Sequence, residues 1–181
     1  MNTNLETYDN SWYKPGSILK RLLWYVVSIF FFKGSWNVMS SVKVFWLRVF
    51  GAKVGFGVVI IPHVEIKYPW KLIIGNHCWI GEHVWIDNLD QVILGNHVCL
   101  SQGVFVLCGN HNYKSPSFDL MLGPVILKEG AWLGAKSIVG PGVTVGTHAV
   151  LSMGSVTSKD LNAYEIYRGN PAISVAIREI T

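Results

Sequence analysis

From Val54 to Thr157 an aliphatic residue returns every six positions, and few folds are open to a chain with that period. The register runs Val54, Ile60, Ile66, then after two extra residues Ile74, Ile80, Ile86, after two more Leu94, Leu100, Val106, and after a long break Leu127, Leu133, Val139, Val145, Leu151, Thr157. Fourteen of these fifteen are Leu, Ile or Val. An amphipathic helix repeats near 3.6 residues and a half-buried strand every two, so neither accounts for six. The next residue is Gly at 55, 75, 81, 95, 134, 140 and 146, and the residue four after is small or β-branched at eleven of the fifteen positions. The exceptions, Trp70, Asp90, Asn110 and Leu161, each close a third hexapeptide. Three hexapeptides therefore make one coil, with insertions admitted at one corner.

Short strands that turn every six residues, three to a coil, stack into a triangular parallel β-helix with an apolar axis. The spacing predicts five coils, 54–73, 74–93, 94–126, 127–144 and 145–161, the third carrying an inserted loop at 107–126. A structureless loop of that length in a compact domain is usually functional. Residues 162–181 are expected to form a C-terminal tail. Ahead of the repeat, residues 1–53 read as a polar, flexible lead-in followed by two short helices, Ile18 to Phe32 and Ser35 to Phe50, the second capped by Ser35 and ended by Gly51.

The net charge of +4 is uneven: residues 1–53 hold seven Lys or Arg against two acids, residues 54–181 eight against nine. The excess lies in an apolar, helix-like stretch rather than across a folded surface, which excludes a nucleic-acid binder and points residues 18–50 toward the repeat or an anionic membrane, with Lys14, Lys20, Arg21, Lys33 and Lys43 toward the head groups. The apolar run Leu22 to Phe32 is too short to span a bilayer, and no signal-cleavage pattern follows it. Three cysteines, Cys78, Cys99 and Cys108, without C-x-x-C, imply a reducing, cytoplasmic setting.

Five of six histidines, His63, His77, His83, His97 and His148, occupy the fourth place of a hexapeptide, at the turn between faces, where a left-handed backbone is often needed. His111 alone breaks this register and begins the inserted loop, so it is the candidate base. Stacking coils at ~4.7–4.9 Å puts Asp87, Asn88 and Asp90 beneath 107–111, with Asp90 expected to turn outward toward a groove. Cys108, three residues before His111, could act as a nucleophile, and Cys99 or other histidines could join a metal site, but C-x-x-H lacks a third ligand.

The hexapeptides I-G-N-H-C-W-I-G-E-H-V-W from Ile74, C-G-N-H at Cys108, W-L-G-A at 132–135, P-G-V at 141–143, G-S-V-T-S-K-D at 154–160, G-N-P-A at 169–172 and L-R-x-F-G-A at Leu47 to Ala52 resemble the hexapeptide-repeat acyltransferases. The match is closest to the galactoside and maltose O-acetyltransferase branch, and within it the colanic-acid-biosynthesis type. The resemblance implies an all-β, left-handed parallel β-helix, an exception to the right-handed crossover rule. It also implies a homotrimer, with acetyl-CoA as co-substrate in the groove between subunits and no resident metal. The activity implied is O-acetyl transfer to a sugar or glycan hydroxyl, free or lipid-linked, in surface-glycan synthesis, without a covalent intermediate. His111 would be the general base, Asp87, Asn88 and Asp90 would bind the acceptor, and Ala135, Met153, Lys159 and Arg178 would bind coenzyme A. Arg178 stands in for a basic residue usual after G-N-P-A, where this chain has Ile173. Exposed Trp79, Trp85 and Trp132 are consistent with a trimer. Two other readings are a γ-type zinc carbonic anhydrase, which needs two histidines five residues apart that this chain lacks, and a non-catalytic scaffold for a membrane or partner.

Overall fold

The computed structural model describes residues 2–36 and 39–181. Three parallel sheets form the faces of a triangular β-helix. Face I stacks Lys53–Val54, Leu72–Ile74, Val92–Leu94, Val125–Leu127 and Thr144–Val145. Face II stacks Val59–Ile60, Trp79–Ile80, Cys99–Leu100, Trp132–Leu133 and Val150–Leu151, and face III stacks Glu65–Ile66, Trp85–Asp87, Phe105–Leu107, Ile138–Val139 and Val156–Thr157. Every register residue of the sixfold pattern except Val54 is buried, so the repeat is the axis of the molecule.

The corners explain the glycines and histidines. A Cβ on Gly75 would lie 2.6 Å from the Gly95 carbonyl carbon, too close for any side chain. Two residues later the chain turns through the left-handed region, where His77, His97 and His148 have φ of 54°, 58° and 54°; at the next corner His63 and His83 have 61° and 57°. His77 stacks on His97 at 5.3 Å and His63 on His83 at 4.9 Å. Asparagines close the corner backbone between coils: Asn76 Oδ1 accepts from Phe56 N and Asn96 Oδ1 from Asn76 N.

A stack of coils leaves an apolar end, and a solenoid needs a cap there. Helix α1, Ile18–Ser28, widening into a π-helical stretch Ile29–Lys33, and helix α2, Ser40–Val49, supply it. Trp24, Phe32, Leu47 and Phe50 join the core, and Trp24 Nε1 donates to the Ile66 carbonyl at 2.8 Å. The expected second helix is shorter than 35–50. Met39 precedes its first turn, Ser35 bonds instead to His63, positions 37 and 38 lie outside the described residues, and Gly51, with φ of 98°, ends it as expected. Lys43 does not face outward as expected: it is fully buried, its Nζ donating to the Ile60 carbonyl at 3.0 Å, and burial pushes its pKa down.

Two further corrections concern the segments read as irregular. Residues 165–177 form a hairpin, Glu165–Gly169 against Ala172–Ile177, whose first strand continues face II beside Val150–Leu151. The polar lead-in is tethered across the inserted segment, Asn4 N donating to the Pro116 carbonyl at 2.8 Å.

Candidate functional site

Two concave regions hold the candidate residues, and they occupy different parts of the triangle. The first is at the corner between faces III and I. There the inserted segment is not structureless: Gly109–His111 pairs antiparallel with Leu120–Leu122, placing His111 opposite Leu120. Gly-Asn-His carries little strand propensity, which hid this hairpin from the periodicity. At its tip the hydroxyls of Ser115 and Ser117 chain onto the Asp119 carboxylate and hold its pKa down.

Phe118 has φ of 52°, a left-handed conformation uncommon for a bulky residue and a frequent mark of a functional site. The conformation has two consequences for His111. The Phe118 ring stacks on the imidazole at 4.4 Å, and the Phe118 carbonyl lies 2.9 Å from Nδ1. A carbonyl can only accept, so in the neutral ring Nδ1 carries the proton and Nε2 the lone pair. The base-competent tautomer is thus fixed by the backbone.

The cleft containing His111 measures ≈ 380 Å³, and Tyr8, Tyr13, Arg21, Lys67 and Tyr68 help to line it. Tyr8 approaches the imidazole at 5.7 Å between ring centroids. Tyr13 donates its hydroxyl to the Leu89 carbonyl at 2.7 Å, the carbonyl that Lys71 Nζ also reaches, and burial pushes the phenol up and the Lys71 ammonium down. A second cleft of ≈ 360 Å³ shares Arg21, Lys67 and Tyr68 and extends the groove to Asp87 and Lys33.

The three expected acceptor residues part company. Asp87 lies opposite Leu107, lines the groove and pairs with Lys67 Nζ at 2.8 Å. Asn88 does not face the groove. It is fully buried, accepting from Tyr68 N at 3.0 Å and donating to the Tyr68 carbonyl at 2.6 Å. Successive side chains on a strand point to opposite sides, so the neighbour of an outward Asp turns inward. Asp90 accepts from Gln91 N at 2.7 Å and lines neither cleft.

The second region is a groove of ≈ 660 Å³ on face II and the corner between faces II and III. Ala135, Met153 and Arg178, which the resemblance assigns to coenzyme A, line it together with Trp132 and Ser152. Arg178 donates from Nη1 to the carbonyls of Gly130 and His148 at 3.0 and 3.2 Å. Arg168 lines the same groove and is exposed. Arg168 precedes G-N-P-A, on the first strand of the hairpin. Lys159 is not in this groove. It stands exposed at the III–I corner, on the same edge of the triangle as His111.

No protein-family model matches the chain. A relative that carries the name colanic acid biosynthesis acetyltransferase WcaF, from Escherichia coli K12, is 38% identical over 167 residues, covering 92% of this chain and 91% of its own. The chain belongs to the WcaF family of acetyltransferases. Its β-helix is likewise similar to the hexapeptide-repeat-containing acetyltransferase VCA0836 from Vibrio cholerae, with a TM-score of 0.80, 17% identity and coverage of 90% of this chain and 92% of that one. A galactoside acetyltransferase in complex with coenzyme A matches with a TM-score of 0.71, 20% identity and coverage of 89% and 82%. The all-β, left-handed parallel β-helix is the fold these share.

Within a WcaF-family acetyltransferase the other candidate chemistries find little support. Among the described residues no three of His, Cys, Asp and Glu converge as a metal-holding group. Cys108 is fully buried and its thiol is pushed up to about 11 by that burial, far from a reactive thiolate. Cys108→Ala should therefore retain acetyl transfer, with at most a core-packing loss of about 1 kcal/mol in thermal denaturation. An inactive but folded variant would return the thiol to the mechanism.

Tyr8, Tyr13, Tyr68, Phe118 and Arg168 line or support these two regions and were not among the expected site residues, and Arg21 was expected at lipid head groups rather than in a cleft. Three aromatics within six residues, Tyr8, Trp12 and Tyr13, are unusual in a solvated leader and were the available signal for the first two.

Proposed function

We propose that this acetyltransferase moves an acetyl group from acetyl-CoA to a sugar hydroxyl during surface-glycan synthesis on the cytoplasmic side of the membrane. The single observation that carries the reading is His111, seated in a cleft with Nδ1 bonded to the Phe118 carbonyl and Nε2 left as acceptor. The acceptor hydroxyl gives its proton to Nε2 as its oxygen attacks the thioester carbonyl carbon. The C–S bond then breaks and coenzyme A leaves as the thiol, taking the proton back from the imidazolium. Asp87 orients the acceptor from the groove wall, while Asn88 acts from behind, fixing the Tyr68 backbone. Ala135 and Met153 line the donor groove, and Arg168 and Arg178 answer the coenzyme phosphates; a galactoside acetyltransferase of the same fold in complex with coenzyme A supports that coenzyme as the donor. A coupled assay of thiol release from acetyl-CoA against a panel of sugars and nucleotide sugars tests the reading. Release that no sugar stimulates would overturn it.

The acting unit in this reading is a homotrimer. Within one chain the donor groove and His111 lie at different corners of the triangle, so one copy's groove must meet a neighbour's His111 edge. Lys159, on that edge, would then approach the donor from the neighbour's side. Trp79, Trp85 and Trp132, all exposed on faces II and III, are apolar surface suited to the contact.

The cap also fits a peripheral membrane contact. Between Asp9 and Glu65 the chain has no carboxylate. Leu19, Leu22, Leu23, Val26 and Phe30 are exposed on α1 and its π-helical extension. No helix among the described residues is long and apolar enough to cross a membrane. Of the basic residues expected at the head groups, Lys43 is buried, Lys33 pairs with Glu65 at 2.7 Å and Lys20 lies over the Trp70 ring. Arg21, also expected there, lines the two clefts with its Nε buried, which leaves Lys14, worth about 1 kcal/mol near an anionic surface, so the apolar face must supply most of the affinity. Flotation with phosphatidylglycerol vesicles at low salt is expected to carry the protein upward; recovery of all of it in the unbound fraction would rule the contact out.

A further inference from the structure

Arg21 is the charge in the molecule that the proposed mechanism leaves unexplained. It sits on α1 at the junction of the two clefts and lines both. Its Nε is buried without a hydrogen-bond partner among the described residues. The neighbouring charges are already balanced: Lys67 holds Asp87 at 2.8 Å and Lys33 holds Glu65 at 2.7 Å. Arg21 is half-buried, and a buried Nε with no partner is an unmet donor that a ligand oxygen would satisfy. Its planar donor fork suits two oxygens of one phosphorus or carboxylate group.

The surroundings narrow the ligand. The cleft that joins Arg21 to His111 is lined by Tyr8, Tyr13 and Tyr68, which offer rings and hydroxyls suited to a sugar, and no carboxylate lines it. Lys67 lines the same wall, and beyond its pair with Asp87 its ammonium keeps further N–H donors. A phosphate ester, with three terminal oxygens against a carboxylate's two, can meet the Arg21 fork and these donors together. We propose that Arg21 forms an anion subsite of the acceptor groove and that the acceptor is a sugar bearing a phosphate or diphosphate ester, its reacting hydroxyl at His111 and its ester at Arg21. The inference rests on the sugar-acetylation reading and specifies its substrate class. Nucleotide-linked and lipid-linked sugars share this chemistry.

The test uses the full-length protein and separates binding from turnover. Calorimetric titration with inorganic pyrophosphate and with hexose 1-phosphates should show binding to the wild type that weakens at least tenfold in Arg21→Gln. Methyl hexosides and methyl glucuronosides should bind both proteins alike. Because Nε has no partner to lose, Arg21→Gln should keep its thermal midpoint, and Lys128→Gln, exposed elsewhere on the molecule, should bind pyrophosphate as the wild type does. With acetyl-CoA present, a hexose 1-phosphate should show a lower KM than its methyl hexoside in the wild type and not in Arg21→Gln. A short-chain phosphatidic acid in a parallel titration identifies the source: if it displaces pyrophosphate while hexose 1-phosphates do not, the site takes a lipid phosphate and the sugar-ester assignment falls. Equal pyrophosphate binding by both proteins, no binding, or tighter binding of the glucuronoside would also overturn it. Acetylation of neutral hexosides without anion binding would remove the subsite and leave the proposed function standing. Anion binding without acetylation of any sugar would do the reverse.

Discussion

His111→Ala is expected to lower the turnover number for acetyl transfer by about 10²–10⁴-fold, the usual worth of a positioned general base. A sugar hydroxyl is a poor nucleophile at neutral pH, and His111 is the imidazole held in the groove with its tautomer set. The ring belongs to a hairpin outside the coil register, so its loss removes one hydrogen bond to Phe118, worth about 1 kcal/mol, and a stacking contact, and opens nothing in the solenoid axis. Thermal midpoint and coenzyme A affinity should stay nearly unchanged, which locates the loss in the transition state rather than in binding. His77→Ala and His97→Ala are the matched controls. They strain a left-handed corner by roughly 1–2 kcal/mol each yet should keep most of the activity. Wild-type turnover by His111→Ala would remove the base and leave Asp87 as the groove's remaining candidate.

How far such a site could be read from residues alone depended on whether its contacts are local. The axis was legible because one physical demand, an apolar side chain at each strand, recurs at fixed spacing from Ile60 to Thr157. The corner histidines were legible for the same reason: a left-handed φ admits few residue types, and five of the six histidines fall at that place in the repeat. His111 stood out by breaking both rules. What supports His111 was hidden, because the Phe118 carbonyl, the Tyr8 ring and the Asn4 to Pro116 bond are contacts between segments that share no period. Asp87 and Asn88 differ by a single step of strand alternation, and the irregular corner concealed which of them turned inward. Lys43 reads as a surface cation on a helix, but the cap it belongs to packs on the first coil, and the Ile60 carbonyl takes its ammonium. Arg168 escaped notice because it precedes the G-N-P-A turn, and only the hairpin brings it to the donor groove.

The separation of the two grooves leads to the second large effect. If each site joins one copy's His111 to a neighbour's donor groove, a chain lacking the base and a chain with a blocked groove are each inactive alone and complement when co-assembled. Ala135→Trp is the blocking change, since Ala135 lines the groove between Trp132 and Met153, where an indole would occupy the donor's path. Mixing it with His111→Ala in equal amounts, unfolding and refolding together, should restore activity from below about 1% to about one site in four, the statistical share of contacts in a closed ring that pair an intact histidine with an intact groove. A site contained within one chain predicts no recovery at any ratio, because every chain in the mixture is defective. Light scattering on the same samples supplies the independent check: restored activity requires a trimeric mass, and a monomeric mass at micromolar concentration would refute the shared site whatever the assay reads.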